Sequence, residues 1–267
     1  WSVVLDGEAD KVLAAQKSRL KMQGCQLARY LRKEPNKWQN WIQQNFPDIY
    51  RIGMQGVNSW PDAIYATLYM TVISFIIGGL LGLVMGLFLV LTGPRGVIEN
   101  KFVFQILDKI TSIFRAIPFI ILLAILKGFT YFIVGTNLGM TAALVPLSAA
   151  TFPFFARQVQ VVLADLDRGV IEAAQASGAT LWDTIKVYLG EGLPELVRVS
   201  TVTLISLVGE TAMAGAIGAG GLGYIAIYYG YNRSSTSVTI LATFLILILI
   251  FLIQFLGDFL TRKLSHK

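Results

Sequence analysis

Six residues, Gly218-Ala219-Gly220-Gly221-Leu222-Gly223, carry the glycine spacing of a loop that lets bare backbone N–H groups approach a dinucleotide pyrophosphate. That chemistry needs a strand before the loop, a helix opening from it, and an acid about 20 residues later to hold a ribose. The upstream stretch "STVTLISLVGETAMA" is long enough for a helix, and no acidic residue lies between Glu210 and Asp258. The fingerprint therefore fails, and the glycines need another role. Metal and thiol chemistry are equally poorly supplied. A single Cys25 cannot form an internal disulfide, and a lone His266 cannot build a histidine metal site. No Gly-x-x-x-x-Gly-Lys-Ser/Thr loop is present to cradle ATP phosphates. Clustered His, Asp or Glu near a membrane surface, as a membrane enzyme would show, are missing too. The expectation for this chain is no catalytic residue, no metal and no cofactor.

The elements that carry these residues are apolar. Hydrophobic residues make up 55% and charged residues 14% of the chain, with a mean hydropathy of +0.63; soluble domains run at about 45–50% and 25%. A bilayer-spanning helix needs about 20 mostly apolar residues. Charge-free runs extend over Ala63–Pro94, Gly128–Ala156, Thr211–Asn232 and Ser234–Gly257, and two shorter ones, Ala116–Leu126 and Val199–Gly209, abut them across single charges. With Gly93-Pro94-Arg95-Gly96 and "VGTNLG" (Val134–Gly139) as breakers, the spacing predicts five membrane helices, Asp62–Thr92, Phe102–Phe132, Thr141–Val162, Arg198–Ala216 and Val238–Arg262. Pro118, Pro146 and Pro153 are expected to kink them.

Lys and Arg in the connections orient the helices. Arg95, Lys101 and Lys109 flank the first connection, Arg157, Arg168, Lys186 and Arg198 populate the third, and Arg262, Lys263 and Lys267 close the chain, so these faces and the C-terminus are expected in the cytoplasm. Five spans then place the N-terminus outside. Against this, residues 1–51 hold Lys11, Lys17, Arg19, Lys21, Arg29, Arg32, Lys33 and Lys37, a basic segment the same rule would keep inside, although long segments cross regardless of charge. Leu13, Leu20, Gly24, Leu27 and Leu31 recur at helical spacing, so Asp10–Arg32 reads as an amphipathic helix on a membrane or partner, or as a solvated extension. No pattern of basic start, short apolar run and small-residue cleavage site is legible there. The division expected is 1–55 as an N-terminal extension and 56–267 as the transmembrane domain, with its long polar connection over about 164–197.

That connection is too charged to span and too long for a simple loop. Asp167 can cap a helix N-terminus, Ala173, Ala174 and Ala176 favour helix, and Gly178 suits the left-handed conformation that ends one. A second helix should follow over Leu181–Leu189. Small alanines allow another protein to approach closely, and Glu172 offers a charge for pairing, so this helix–turn–helix reads as a docking device.

The stretch Glu172-Ala173-Ala174 followed by Gly178 resembles the "EAA" signature of permease subunits of bacterial ABC importers, in which this loop is a coupling helix inserted into a groove of the ATPase subunit. The family commonly has Leu-Pro after the second helix; here Leu189-Gly190 stands there and Leu-Pro arrives at Leu193-Pro194. "IFRAIPFIILL" (Ile113–Leu123) and "LVGETAMAGAIGAGGLG" (Leu207–Gly223) are similar to the permeases of D/L-methionine importers, subunits with five transmembrane helices. The resemblance covers about Trp60–Lys267 and leaves the extension outside it. It implies an all-α integral membrane protein with the type I ABC importer permease fold in a bacterial inner membrane. It also implies a second copy of the chain, two ABC ATPase subunits that bind ATP and Mg, and an extracytoplasmic substrate-binding protein, with no nucleic acid as partner. Glycine betaine importer permeases share a "GAGGLG"-like stretch, so another small zwitterion stays the alternative substrate. A channel or receptor could share five apolar helices but would not need the docking helix.

Within the membrane, Glu210 is an acid in an apolar span, costly and by default a functional candidate. With Met213 it could line a pathway or gate; equally, it could sit at the external interface or pair locally. Arg115 and Lys127 read as interfacial, Lys127 snorkelling outward. Gly78, Gly82 and Gly86, and Ala212, Ala216 and Gly220, form small-xxx-small series suited to close helix packing, with Gly215, Gly218, Gly221 and Gly223 adding further close approaches or breaks. Direct substrate contact is the alternative role for the second series.

Overall fold

A computed structural model describes residues 37–53 and 58–265, and every described element is helical. The expected amphipathic helix over Asp10–Arg32 lies outside the described residues. The chain divides into two compact units, residues 1–50 and 51–267. In the first, helix α1 (Lys37–Asn45) is followed by α2 (Pro47–Ile52), which runs across the boundary, and Trp41 meets Phe46 edge to face at 5.9 Å.

The second unit opens with α3 (Trp60–Thr92). Ser59 caps it by accepting from the Asp62 N–H, and Pro61 occupies the first turn, where a missing N–H costs nothing. It ends at Gly93, whose extended backbone is what the following Pro94 demands. Helix α7 (Met140–Ala164) lies against it in the most extensive contact of the fold. The glycine series of α3 makes that contact close. A Cβ on Gly78 would stand 2.6 Å from the Ser148 carbonyl oxygen, on Gly82 2.8 Å from the Phe152 carbonyl oxygen, and on Gly86 2.6 Å from Val159 Cβ. Dispersion between two backbones replaces what side chains would supply elsewhere.

Between these helices the chain departs from expectation. The single span predicted over Phe102–Phe132 is three pieces, α4 (Lys101–Ala116), α5 (Phe119–Ile125) and α6 (Lys127–Val134). Pro118 lacks an N–H and drives Ile117 to an extended φ −78°, ψ 120°, which ends α4. The polar connection follows α7 as α8 (Arg168–Ala176) and α9 (Leu181–Glu191), and α10 (Leu193–Ala216) then begins with Leu193-Pro194 in its first turn. Gly190 lies inside α9, so the Leu-Pro pair missing at position 189 opens the next helix instead.

Beyond α10 the glycine-rich stretch is a loop, the short helix α11 (Gly221–Tyr224) and a π-helical turn, Ile225–Tyr231. Gly218, Gly220 and Gly221 take φ values of 96°, 86° and 80°, which side chains resist. The turn docks back onto α3, with the Leu222 N–H donating to Thr67 Oγ1 at 2.9 Å. These positive φ values suit glycine to the turn, and Gly220 lies beyond the helix whose four-residue series it was expected to continue. The helix ends at Ala216, so the four-residue series does not reach Gly220, and no atom lies within 4 Å of where its Cβ would be. Ala216 is exposed and Ala212 only half-buried. The close approaches fall on Gly215, against the Tyr224 N, and on Gly223, against the backbone of Ala212.

Helix α12 (Thr236–Ser265) closes the chain along α10, where Gly257 meets Thr201. By length and composition, α3, α10 and α12 are each able to cross a membrane. The outer faces of α3 and α12 carry exposed Leu80, Val84, Phe88, Phe244, Phe251 and Phe255, a surface suited to lipid rather than water.

Candidate functional site

The docking device begins with local hydrogen bonds. Asp167 accepts from the Gly169 N–H at 2.8 Å and starts α8. At the other end, the Gly178 N–H donates to the Gln175 carbonyl at 2.9 Å and the Ala179 N–H to the Ala174 carbonyl at 3.1 Å. With Gly178 at φ 81°, this is a Schellman cap. One residue later Thr180 and Asp183 form a reciprocal capping box that starts α9, each accepting from the other's backbone N–H at 3.3 Å. The two caps abut at Ala179 and Thr180, so the angle between α8 and α9 is held by backbone–backbone hydrogen bonds on one side and by backbone–side-chain hydrogen bonds on the other.

Packing seats this joint on α3, α7 and α10. Val90, Leu91, Phe155, Val159, Leu163, Tyr188 and Leu196 form one buried cluster, and Ile171 of α8 packs against it. Burial pushes the Tyr188 phenol above its ordinary pKa, with the Arg168 guanidinium opposing the shift. No residue of α8 is itself buried. Glu172 and Ala173 are exposed and Ala174 is half-buried. Sequence reasoning missed the apolar part of this surface: Val170, Leu181 and Trp182 are exposed beside the alanines, Trp182 at 65%. A tryptophan in an otherwise polar segment was the available clue. α8 thus presents Glu172 and Ala173 outward, and the start of α9 presents Leu181 and Trp182.

Glu210 lies on α10, half-buried, and its Oε2 is fully buried with no hydrogen-bond partner among the described residues. Met213, one turn on, is 51% exposed. The exposed positions Val202, Ser206, Gly209, Met213 and Ala216 alternate by four and three, so one stripe of α10 is left uncovered among the described residues. Glu210 borders that stripe.

Sequence reasoning also missed an ion pair. Arg157 on α7 donates to Asp108 on α4 at 2.5 Å and also to Ser112 and to Gln160. Asp108 lies inside a segment predicted as a membrane helix and Arg157 near the end of another, beside the third connection, so the sequence hint was only that such an acid needs a partner.

A family model described as "Binding-protein-dependent transport system inner membrane component" matches residues 78–266. The chain belongs to this family. Among relatives, it is 46% identical over 202 residues to a protein of Pasteurella multocida (strain Pm70) described as "Probable D-methionine transport system permease protein MetI", covering 75% of this chain and 93% of that one. It is 47% identical over 207 residues to the "Methionine import system permease protein MetP" of Bacillus subtilis (strain 168), covering 77% and 93%. Its fold matches a chain of the MetNI methionine ABC transporter in an inward-facing conformation, with a TM-score of 0.76 and 44% identity over 77% of this chain and 95% of that chain. This inner-membrane transport component thus has the all-helical fold of an ABC importer permease, and the glycine pattern of its loop serves that fold rather than a nucleotide. The match begins at Gly78, inside α3, and contains α8, α9 and the α10–α12 bundle.

Proposed function

We propose that this chain is the membrane-spanning permease subunit of an ATP-driven importer that moves methionine into the cell. The observation that carries the substrate is its 46% and 47% identity to methionine transport permeases along more than nine-tenths of their lengths. Glycine betaine is the competing substrate, since nothing in the docking device distinguishes the two.

In this reading five segments cross the inner membrane: α3, the broken α4–α6, α7, α10 and α12. Residues 56–267 form the permease domain and 1–55 an extension on the external side, while the coupling loop and the C-terminus face the cytoplasm. Two copies pair around a shared pathway, two separate ATPase subunits bind ATP and Mg, and an external binding protein delivers solute. Helix α8 docks into the ATPase through Glu172, Ala173 and Ala174, with Gly178 fixing the angle of its exit. Because Ile171 and Tyr188 join the same buried cluster as Val90, Phe155 and Leu163, displacement of α8 passes directly to the cytoplasmic ends of α3 and α7. Rocking of those helices then exchanges inward-open and outward-open states, a coupling between two sites through two conformations. Glu210 and Met213 stand at the uncovered stripe of α10, where a pathway or gate shared with the second copy would form.

The test is ATP-dependent uptake by proteoliposomes holding the chain with its ATPase and binding protein. Saturable import of labelled methionine is expected. Import of glycine betaine in its place would keep the coupling mechanism and overturn the substrate.

A further inference from the structure

A cavity of about 730 Å³ opens between α5, α6, the start of α7 and the Ile217–Ala219 segment. Leu123, Ala142, Ala143, Pro146 and Ile217 make its walls apolar. Two polar residues of the lining matter here, Lys127, which is exposed, and Asn137, which is half-buried. The Lys127 ammonium has no carboxylate within 4.0 Å among the described residues. Asn137 Oδ1 is buried, again with no hydrogen-bond partner among the described residues. A buried amide oxygen without a partner is rare in a native fold and points to a donor supplied from outside the chain. An apolar cleft of this size with a few convergent polar groups is the usual form of a small-molecule site.

The two groups ask for opposite chemistry. Lys127 has three N–H donors and a positive charge and suits a carboxylate, whereas the Asn137 oxygen accepts and suits an ammonium that still has N–H to give. An α-amino acid presents both, together with a side chain for the apolar walls. Glycine betaine presents the carboxylate alone, since a trimethylammonium has no N–H to donate. Such groups are held by the faces of several aromatic rings, and Tyr131 is the only aromatic residue in this lining. We propose that the cavity is a transit site for the transported amino acid, Lys127 holding its carboxylate and Asn137 Oδ1 accepting from its ammonium. The inference rests on the importer reading above and adds to it a place and a reason for preferring methionine.

The probe is photo-methionine, the diazirine analogue of methionine, applied to the full complex of this chain with its ATPase and binding protein in proteoliposomes. Irradiation should label peptides within 120–146 or 217–219, and excess methionine should suppress the labelling. Lys127→Met and Asn137→Leu should each reduce it about tenfold or more, equivalent to about 1.4 kcal/mol, while Lys127→Arg keeps most of it. Co-purification of all subunits with each variant guards against misfolding. Labelling confined to other peptides, labelling unaffected by Lys127→Met, or labelling suppressed by phosphatidylglycerol but not by methionine would each overturn the site, the last making it a lipid pocket. A wild-type complex that imports methionine without labelling here defeats this inference alone; one that imports no methionine defeats the importer reading.

Discussion

Substituting Gly178 separates the conformational demand of the α8 cap from every other effect. No heavy atom lies within 4 Å of a Cβ built there, so a side chain meets no steric obstacle. What remains is φ 81°, a left-handed conformation that costs an ordinary residue about 1–2 kcal/mol. Alanine should pay that amount, valine more because its β-branch crowds the backbone, and asparagine least because it tolerates this region. If the backbone relaxes instead, the two hydrogen bonds of the Schellman cap are lost, at about 0.5–1.5 kcal/mol each. Either route moves the exit angle of α8, and since α8 has no buried residue to hold it, a shift of this size redistributes its end between docked and displaced forms by about tenfold. The expected order for methionine imported per ATP hydrolysed is wild type, Gly178→Asn, Gly178→Ala, Gly178→Val, with membrane insertion unchanged in all. Gly82→Val is the contrast: its Cβ would stand 2.8 Å from the Phe152 carbonyl oxygen, so it should reduce the yield of folded protein in detergent. Wild-type coupling in Gly178→Val, or equal loss in all three Gly178 variants, would refute the role assigned to the cap.

Removing Arg157 strands Asp108. Arg157→Met should lower thermal stability by about 1–3 kcal/mol, the range for leaving a buried hydrogen-bonding group unsatisfied, and Asp108→Asn in the same chain should restore much of the loss in a double-mutant cycle. Glu210→Gln keeps the shape of the side chain and removes its charge; uptake kinetics should change while subunit assembly on a sizing column does not, and unaltered uptake would assign Glu210 a structural role. Hydrogen bonds from Thr180, then Lys186, hold the Asp183 carboxyl below its ordinary value of 3.8. A carboxyl lowered on folding contributes above its unfolded value and loses that contribution as pH falls through the folded one. Amide exchange at the start of α9 should therefore be flat in protection above pH 3.8 and rise below it, and in Thr180→Ala the acid limb should move upward toward that value.

How far each feature could be read from the sequence follows from the range of the interaction behind it. The Asp167 and Gly178 caps act within a few residues, so residue type and position suffice to propose them, and the Thr180–Asp183 box was equally local and simply passed over. The series Gly78, Gly82, Gly86 is readable because one helix persists through all three, so a four-residue period keeps them on one face. The same arithmetic does not carry to Ala212, Ala216, Gly220, because the helix stops after Ala216 and the period loses its meaning; the density of glycines from Gly215 to Gly223 was the better clue, since a run of glycines inside a stable helix would be a cost without a return. Pro118 was readable as a kink, but the long apolar run from Ala116 concealed that it ends the helix outright at Ile117, because hydropathy reports the solvent and not the backbone. The Asp108–Arg157 pair and the presence of Lys127 and Asn137 in one cavity lining are tertiary facts. They depend on how α4 lies on α7 and on how the chain turns between α6 and α7, and no local period encodes either. Both were nevertheless marked in one respect, in that each puts a charge or an amide where an apolar segment has no local partner to offer, and that mismatch is what a single sequence can show of a site before its fold is known.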